Sequence, residues 1–145
     1  MNTVKIGITG GIGSGKSLIS KILKEIGTPV FDADSEAKML LENNQSIIEQ
    51  VKRIIGPNAY LVDGKPNRSY IASIVFNQPE KRQQLNSVIH PEVQKQFYNW
   101  LTEHQDEKII AKEAAIMFES GSDQDMDYII AVSAPESLRM KRVMI

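Results

Sequence analysis

A three-layer α/β/α fold, with helices on both faces of a parallel sheet, follows from three observations. A β-branched run near the N-terminus, Val4-Lys5-Ile6-Gly7-Ile8, passes through a glycine-rich loop straight into an amphipathic helical pattern. Strand-like and helical patterns alternate again toward the C-terminus, which favours parallel pairing over hairpins. From about residue 35 to 105 no convincing strand pattern occurs, so that stretch reads as a helical insertion after the second strand.

The elements follow in order. Val4 to Ile8, ending in Thr9, reads as a buried strand. After the loop, Leu18, Ile19, Ile22, Leu23 and Ile26 recur at helical spacing, and Gly27 is placed to cap that helix. Thr28 to Phe31 reads as a second strand running into Asp32-Ala33-Asp34. Ser35 to Leu41 turns helical and Asn43-Asn44 breaks it. Ile47, Ile48, Val51, Ile54 and Ile55 mark an amphipathic helix closed by Gly56-Pro57. Asp63-Gly64 and Pro66 predict turns, and Ser69 to Phe76 a short helix. A longer helical pattern begins at Glu80 and carries Leu85, Val88, Ile89, Val93, Phe97, Trp100 and Leu101; Pro91 is expected to end or kink its first part. Lys108 to Ala111 and Ala114 to Phe118 contain a third strand, and Tyr128 to Val132 a fourth. Pro135 suits the start of a last helix. Leu138 to Ile145 lacks a C-cap or a following turn, so it reads as the start of an element that continues. The expected organisation is one domain, with its core over about 1–34 and 106–145 and the insertion over about 35–105.

Bulk properties narrow the class. A chain of 145 residues, 41% hydrophobic and 24% charged, is large enough for one ordinary globular core. The net charge of −1 gives no global sign of a nucleic-acid or anionic-membrane partner. With no cysteine, a disulfide scaffold and a thiolate metal site are excluded. No signal peptide or apolar run of membrane-spanning length occurs, which points to the cytoplasm. No motif bears on oligomeric state.

The most informative segment is Gly10-Gly11-Ile12-Gly13-Ser14-Gly15-Lys16-Ser17. It fits the phosphate-loop pattern G-x-x-x-x-G-K-[S/T], with Gly10, Gly15, Lys16 and Ser17 at the fixed positions. Backbone N–H groups of such a loop curl around phosphates, and the N-terminus of the following helix adds a favourable dipole. Gly11, Ile12, Gly13, Ser14, Gly15, Lys16, Ser17 and Leu18 are therefore expected to bind the phosphates of a nucleotide, with the Ser17 hydroxyl on Mg²⁺. A merely structural turn has no need for Lys16-Ser17 at the helix start. The fold is accordingly read as that of a phosphate-loop NTPase.

A phosphate loop specifies nucleotide handling but no reaction. A switch GTPase would carry Asn-Lys-x-Asp and Asp-x-x-Gly, and neither string occurs. A motor ATPase needs an apolar run ending in an acid, of which Ala114 to Glu119 is a weak version. A kinase needs a group to take or orient the acceptor hydroxyl's proton and cations to neutralise the transferring phosphoryl. Asp32 and Asp34, at the end of the second strand, lie where an open parallel sheet places ligands, beside the phosphate loop. One could orient Mg²⁺ through water while the other accepts the proton. The bland alternative makes Asp34 the N-cap of a helix starting at Ser35.

The run Gly7 to Ser17, followed by Gly27-Thr28-Pro29-Val30-Phe31-Asp32-Ala33-Asp34, closely resembles the dephospho-coenzyme A kinase family. Arg68, Val75-Phe76, Leu85-Asn86, Ile89-His90-Pro91, Phe118-Glu119-Ser120-Gly121 and Leu138 to Arg142 match further blocks in order. The resemblance implies transfer of the γ-phosphate of ATP to the ribose 3′-hydroxyl of dephospho-coenzyme A, the last step of coenzyme A synthesis. It makes Asp34 the base or orienter of that hydroxyl, which leaves Asp32, from its position, to support the metal or its waters. The helical insertion would hold the acceptor, and a lid beginning near residue 136 would bring arginines over the phosphates. The sequence departs from the family at Asn67 (usually Asp), Lys38 (commonly Arg) and Ala115 (usually Pro). The family is also longer, and most of its lid would lie past Ile145.

Other residues carry competing readings. His90 on an apolar helical face is either structural or an active-site neighbour. Arg68, Lys81 and Arg82 are solvated charges or contacts for substrate phosphates. Glu119 is expected to pair with a cation or touch substrate, because an acid after a buried strand is costly. Arg139 and Arg142 share a helical face; Arg142 is expected to act from the lid on developing charge. His104 is expected to face solvent, and Phe97 and Trp100 the core. The rival functions are another nucleoside or nucleotide kinase, and a non-catalytic ATP-binding regulator.

Overall fold

A computed structural model describes residues 2–144. Along the chain run β1 (Val4–Gly10), α1 (Lys16–Glu25), β2 (Val30–Asp32), α2 (Ala33–Asn43), α3 (Gln45–Ile55), α4 (Arg68–Asn77), α5 (Pro79–Glu103), β3 (Ile109–Glu113), β4 (Tyr128–Val132) and α6 (Glu136–Val143). Short 3-10 turns occupy Pro57–Ala59 and Ser122–Asp125. The four strands form one all-parallel sheet in the order β2-β3-β1-β4. Ile145, which the sequence places within the unfinished final helix, lies outside the described residues.

The chain divides into two compact units, Met1–Asp34 with Phe97–Ile145, and Ser35–Gln96. The first holds the sheet. Along β3, Glu113 reaches Ser17 of α1, whereas its neighbour Lys112 lies with its Nζ 4.3 Å from the Phe97 ring of α5. Strand alternation therefore puts α1 on one face and the C-terminal end of α5 on the other, which gives three layers. Ile8 and Ile110 are fully buried in the central strands. A Cβ on Gly7 would lie 2.5 Å from the sulfur of buried Met117, so glycine there lets Met117 lie flat on β1. Helix α1 ends as its sequence predicts. Gly27 takes φ +90, Thr28 N–H donates to Leu23 O at 2.9 Å and Gly27 N–H to Lys24 O at 3.0 Å. These two bonds form a Schellman cap.

The second unit is helical. Ile47, Val51 and Ile55 of α3 are buried, as are Ile71 of α4 and Leu85, Ile89 and Val93 of α5. The Asn44 side chain caps α3 by accepting from Ile47 N–H, and Asn67 caps α4 by accepting from Tyr70 N–H. Asn67 thus performs a capping task that Asp performs equally well, so this departure from the family pattern leaves the helix start intact.

Several expectations are corrected. Pro91 does not end α5, which runs from Pro79 to Glu103 with Pro91 inside it. Its ring forfeits one i→i−4 bond, and the buried side chains on either side hold the helix together. Ala114 to Phe118 is not strand: β3 stops at Glu113 and residues 115–120 form turns. Glu119 is consequently exposed on a turn and meets no burial cost. His104 does not face solvent freely. Its ring stacks on Trp100 at 4.2 Å between centroids, and its Nδ1 lies 2.8 Å from Trp100 O. Phe97 is fully buried, as expected, whereas Trp100 is only half-buried; Phe31 lies 5.2 Å from Phe97 and 5.6 Å from Trp100.

Lys112 is only 1% exposed. Burial pushes its ammonium down to about 8, and the nearby Asp125 charge opposes this only in part. Between about 8 and the ordinary value of 10.5 the unfolded chain therefore binds more protons than the folded one. Stability contributed by this group is expected to rise with pH across that window, by at most on the order of 3 kcal/mol. The urea midpoint of the wild type relative to Lys112→Met should rise across the same window; a flat difference would contradict this.

Candidate active site

The loop between β1 and α1 is shaped by its glycines. Gly13 and Gly15 take φ +75 and +101, conformations that side chains resist. A Cβ on Gly10 would strike the Val132 carbonyl and the Ser14 hydroxyl. The first α1 amide bonded back to the loop is that of Leu18, to Gly15 O at 3.1 Å. The Lys16 and Ser17 amides, one step earlier, have no helical carbonyl to bond. No side chain caps α1 and no acid lies in its first turn. At this helix end the free amides and the dipole can act together on an external anion.

Four side chains converge beside this cradle. Lys16 Nζ lies 3.7 Å from Asp34 Oδ2 and 3.5 Å from Glu113 Oε1. The Ser17 hydroxyl donates to the same Glu113 oxygen at 3.2 Å. Glu113 is buried, and Lys16 and Ser17 supply the charge and hydrogen bond that make its burial tolerable. Asp34 is more open, its side chain 42% exposed, and it accepts a hydrogen bond from the Ala115 amide at 3.3 Å. Helix α2 begins at Ala33, so Asp34 lies inside its first turn, and its carboxylate reaches across to the turn after β3. The simple N-cap reading of Asp34 therefore fails. Asp32 pairs in register with Glu113 on the neighbouring strand, which places both acids at the carboxyl end of the sheet.

Helix α6 meets the loop from the other side. Arg142 Nη1 donates to Gly13 O at 2.8 Å, and Arg139 Nε to Ala134 O at 3.0 Å. Of the residues expected to act, Lys16, Ser17, Asp34 and Arg142 are gathered at the loop. Arg68 and His90 belong to the helical unit. There Arg68 forms a 2.6 Å ion pair with Glu42, and His90 is half-buried on α5.

Sequence reasoning missed Glu113. The signal was present: an apolar run, Ile109-Ile110-Ala111, ends two residues before an acid, at a strand end of a parallel sheet. Ala114 to Phe118 continue the apolar run in the sequence, which makes Glu119 rather than Glu113 look like the acid at the strand end. Among the described residues no cluster of three His, Cys, Asp or Glu could hold a metal alone. The Ser17 hydroxyl and the Glu113 and Asp32 carboxylates are hard oxygen donors. They suit a cation such as Mg²⁺, which keeps its waters and takes its other ligands from phosphates.

Comparison with known proteins gives these features a family. The model of the family described as dephospho-CoA kinase matches residues 4–145. A dephospho-CoA kinase of Chlorobaculum tepidum is 42% identical over 143 residues, covering 94% of this chain and 69% of that protein. One of Porphyromonas gingivalis is 41% identical over 141 residues, covering 97% and 69%. The crystal structure of a Thermus thermophilus protein superposes with a TM-score of 0.84 at 34% identity, covering 99% of this chain and 72% of that one. A Campylobacter jejuni dephospho-CoA kinase shares the fold, with a TM-score of 0.65 at 17% identity, covering 97% and 94%. A match of this extent, carried by a phosphate loop with an acid poised against its lysine, makes the chain a member of the dephospho-CoA kinase family.

Proposed function

We propose that this chain transfers the γ-phosphate of ATP to the ribose 3′-hydroxyl of dephospho-coenzyme A, completing coenzyme A synthesis. The observation that carries the mechanism is the 3.7 Å approach of Asp34 to Lys16 beside the loop. The loop amides and Lys16 hold the β- and γ-phosphates. Asp34 accepts the proton of the acceptor hydroxyl as its oxygen attacks phosphorus, and the bond to the β-phosphate oxygen breaks. Ser17, with Glu113 and Asp32, would hold Mg²⁺, which when bound neutralises charge on the phosphates. Arg142 is positioned by Gly13 O to add positive charge over the loop. The helical unit, with Arg68 and His90, is the proposed holder of the acceptor, and exposed Glu119 a further contact for it. Helix α6 is the proposed start of the lid. The reaction draws on ATP, so the proposed location is the cytoplasm. Among the described residues no helix is long and apolar enough to cross a membrane.

Coupled ADP release tests the reaction. Turnover on dephospho-coenzyme A is expected to exceed that on nucleoside monophosphates by about 10² or more. Equal turnover on both would favour a general nucleotide kinase, and ATP binding without ADP release on any acceptor a regulator. The family match favours neither alternative. Glu113→Gln is expected to raise the Mg²⁺ concentration for half-maximal turnover by about tenfold. An unchanged requirement, measured by titrating Mg²⁺ at fixed ATP, would remove Glu113 from the metal's surroundings.

A further inference from the structure

The proposed reaction leaves Lys112 unused, although it is the most completely buried charged side chain among the described residues. Its neighbours are named easily. The Phe97 ring of α5 lies under its Nζ, while Ser122 and Asp125 of the 3-10 turn face it. The hydroxyl of Tyr98 holds Asp125 at 3.2 Å from either carboxylate oxygen. An apolar side chain would fill the same space without paying for desolvation. What it could not do is donate a hydrogen bond.

The donation has a definite path. Lys112 Nζ donates to Ser122 Oγ at 3.3 Å, and Ser122 Oγ lies 2.9 Å from Ser120 Oγ. Ser120 Oγ donates to Met117 O at 3.2 Å. Ser120 spends its single proton on Met117, so the proton between the two serines belongs to Ser122. The Ser122 oxygen is then free to accept from Lys112. The result is a one-way chain from a donor-only ammonium to an acceptor-only carbonyl.

This chain braces the turn that follows β3. At its far side Met117 packs on Gly7, and Ala114 N–H donates to Ile8 O at 3.0 Å. Between them Ala115 gives its amide to Asp34 at 3.3 Å and takes the Thr9 hydroxyl on its carbonyl at 3.4 Å. The turn therefore fixes one oxygen of Asp34 and leaves the other for an acceptor hydroxyl.

We propose that Lys112 is a positioning residue for phosphoryl transfer: through Ser122 and Ser120 it holds the turn that presents the Ala115 amide to Asp34. The role of Asp34 rests on the reaction proposed above, whereas the brace itself does not.

Ser122→Ala cuts the chain with Lys112 in place, and Lys112→Met removes its origin at similar volume. In both, amide hydrogen exchange at Ala115 is expected to speed by about fivefold or more, while β1 amides keep their rates. Turnover on dephospho-coenzyme A should fall by a similar factor with KM for ATP unchanged. In an Asp34→Asn background, Ser122→Ala should lower turnover no further. Unaltered exchange at Ala115 in Ser122→Ala overturns the proposal, whether or not Lys112→Met folds. A full additional loss in the double variant overturns the link to Asp34. Exchange is read on the protein alone, so absent wild-type turnover would refute the reaction and leave exchange to decide on the brace.

Discussion

Asp34→Asn is expected to lower turnover by about 10² or more while leaving ATP affinity within about twofold. The asparagine has nearly the same shape and can still accept the Ala115 amide on its side-chain oxygen. It cannot take a proton from the acceptor hydroxyl. The loop amides that would grip the nucleotide are untouched, which is why binding and turnover should separate. The substitution also removes one of the two carboxylates around Lys16, and Glu113 at 3.5 Å keeps the ammonium in place. Calorimetric ATP binding and steady-state ADP release on one preparation make the comparison. Turnover near that of the wild type would take Asp34 out of the mechanism.

Lys16→Ala should impair both steps together. Its ammonium lies between the loop and the two acids, within 3.7 Å of Asp34 and 3.5 Å of Glu113. Without it the transferring phosphoryl loses a fixed positive charge, a loss of about 10²–10³ in turnover. ATP affinity should fall too, because the same charge faces the phosphates before and during transfer. A third consequence is structural. Glu113 would keep only the Ser17 hydroxyl, leaving a buried carboxylate without its counter-charge. The thermal midpoint should therefore drop by several degrees. Lys16→Met tests whether that drop comes from the missing stem or the missing charge. Unchanged ATP affinity in either variant would argue against the loop as the nucleotide site.

The parts of this site that were legible in the sequence are local. Glycines at 10, 13 and 15, a strand before them and an amphipathic helix after them are encoded within about twenty residues, where spacing and backbone chemistry speak directly. The pair Asp32 and Asp34 was legible because it follows a short apolar run at a strand end. Sheet order was not. The insertion of β3 between β1 and β2 rests on pairings of residues 105 and 81 positions apart, Val4 with Ile109 and Val30 with Ala111, and nothing in these strands specifies the partner. The end of β3 was hidden for a different reason. Ala114 and Met117 are apolar because they are buried, Met117 against Gly7 of β1, so two buried residues within an otherwise exposed turn imitated a strand and hid Glu113 behind Glu119. Lys112 was hidden because a charged residue in a strand pattern reads as solvent-facing. Its burial depends on an aromatic ring from α5 and hydroxyls ten residues away. The resemblance to a family named the chemistry, but the brace behind Asp34 emerged only from the packing.

The arrangement asks that one small volume hold a triphosphate, its lysine and a proton acceptor at once. A crystal structure with a non-hydrolysable ATP analogue and dephospho-coenzyme A tests this most directly. The γ-phosphate should rest on the amides of residues 11–17 and on Lys16, with the ribose 3′-oxygen within about 3.2 Å of the free oxygen of Asp34. Nucleotide bound away from the loop, or a 3′-oxygen out of reach of Asp34 with the γ-phosphate in place, would contradict it.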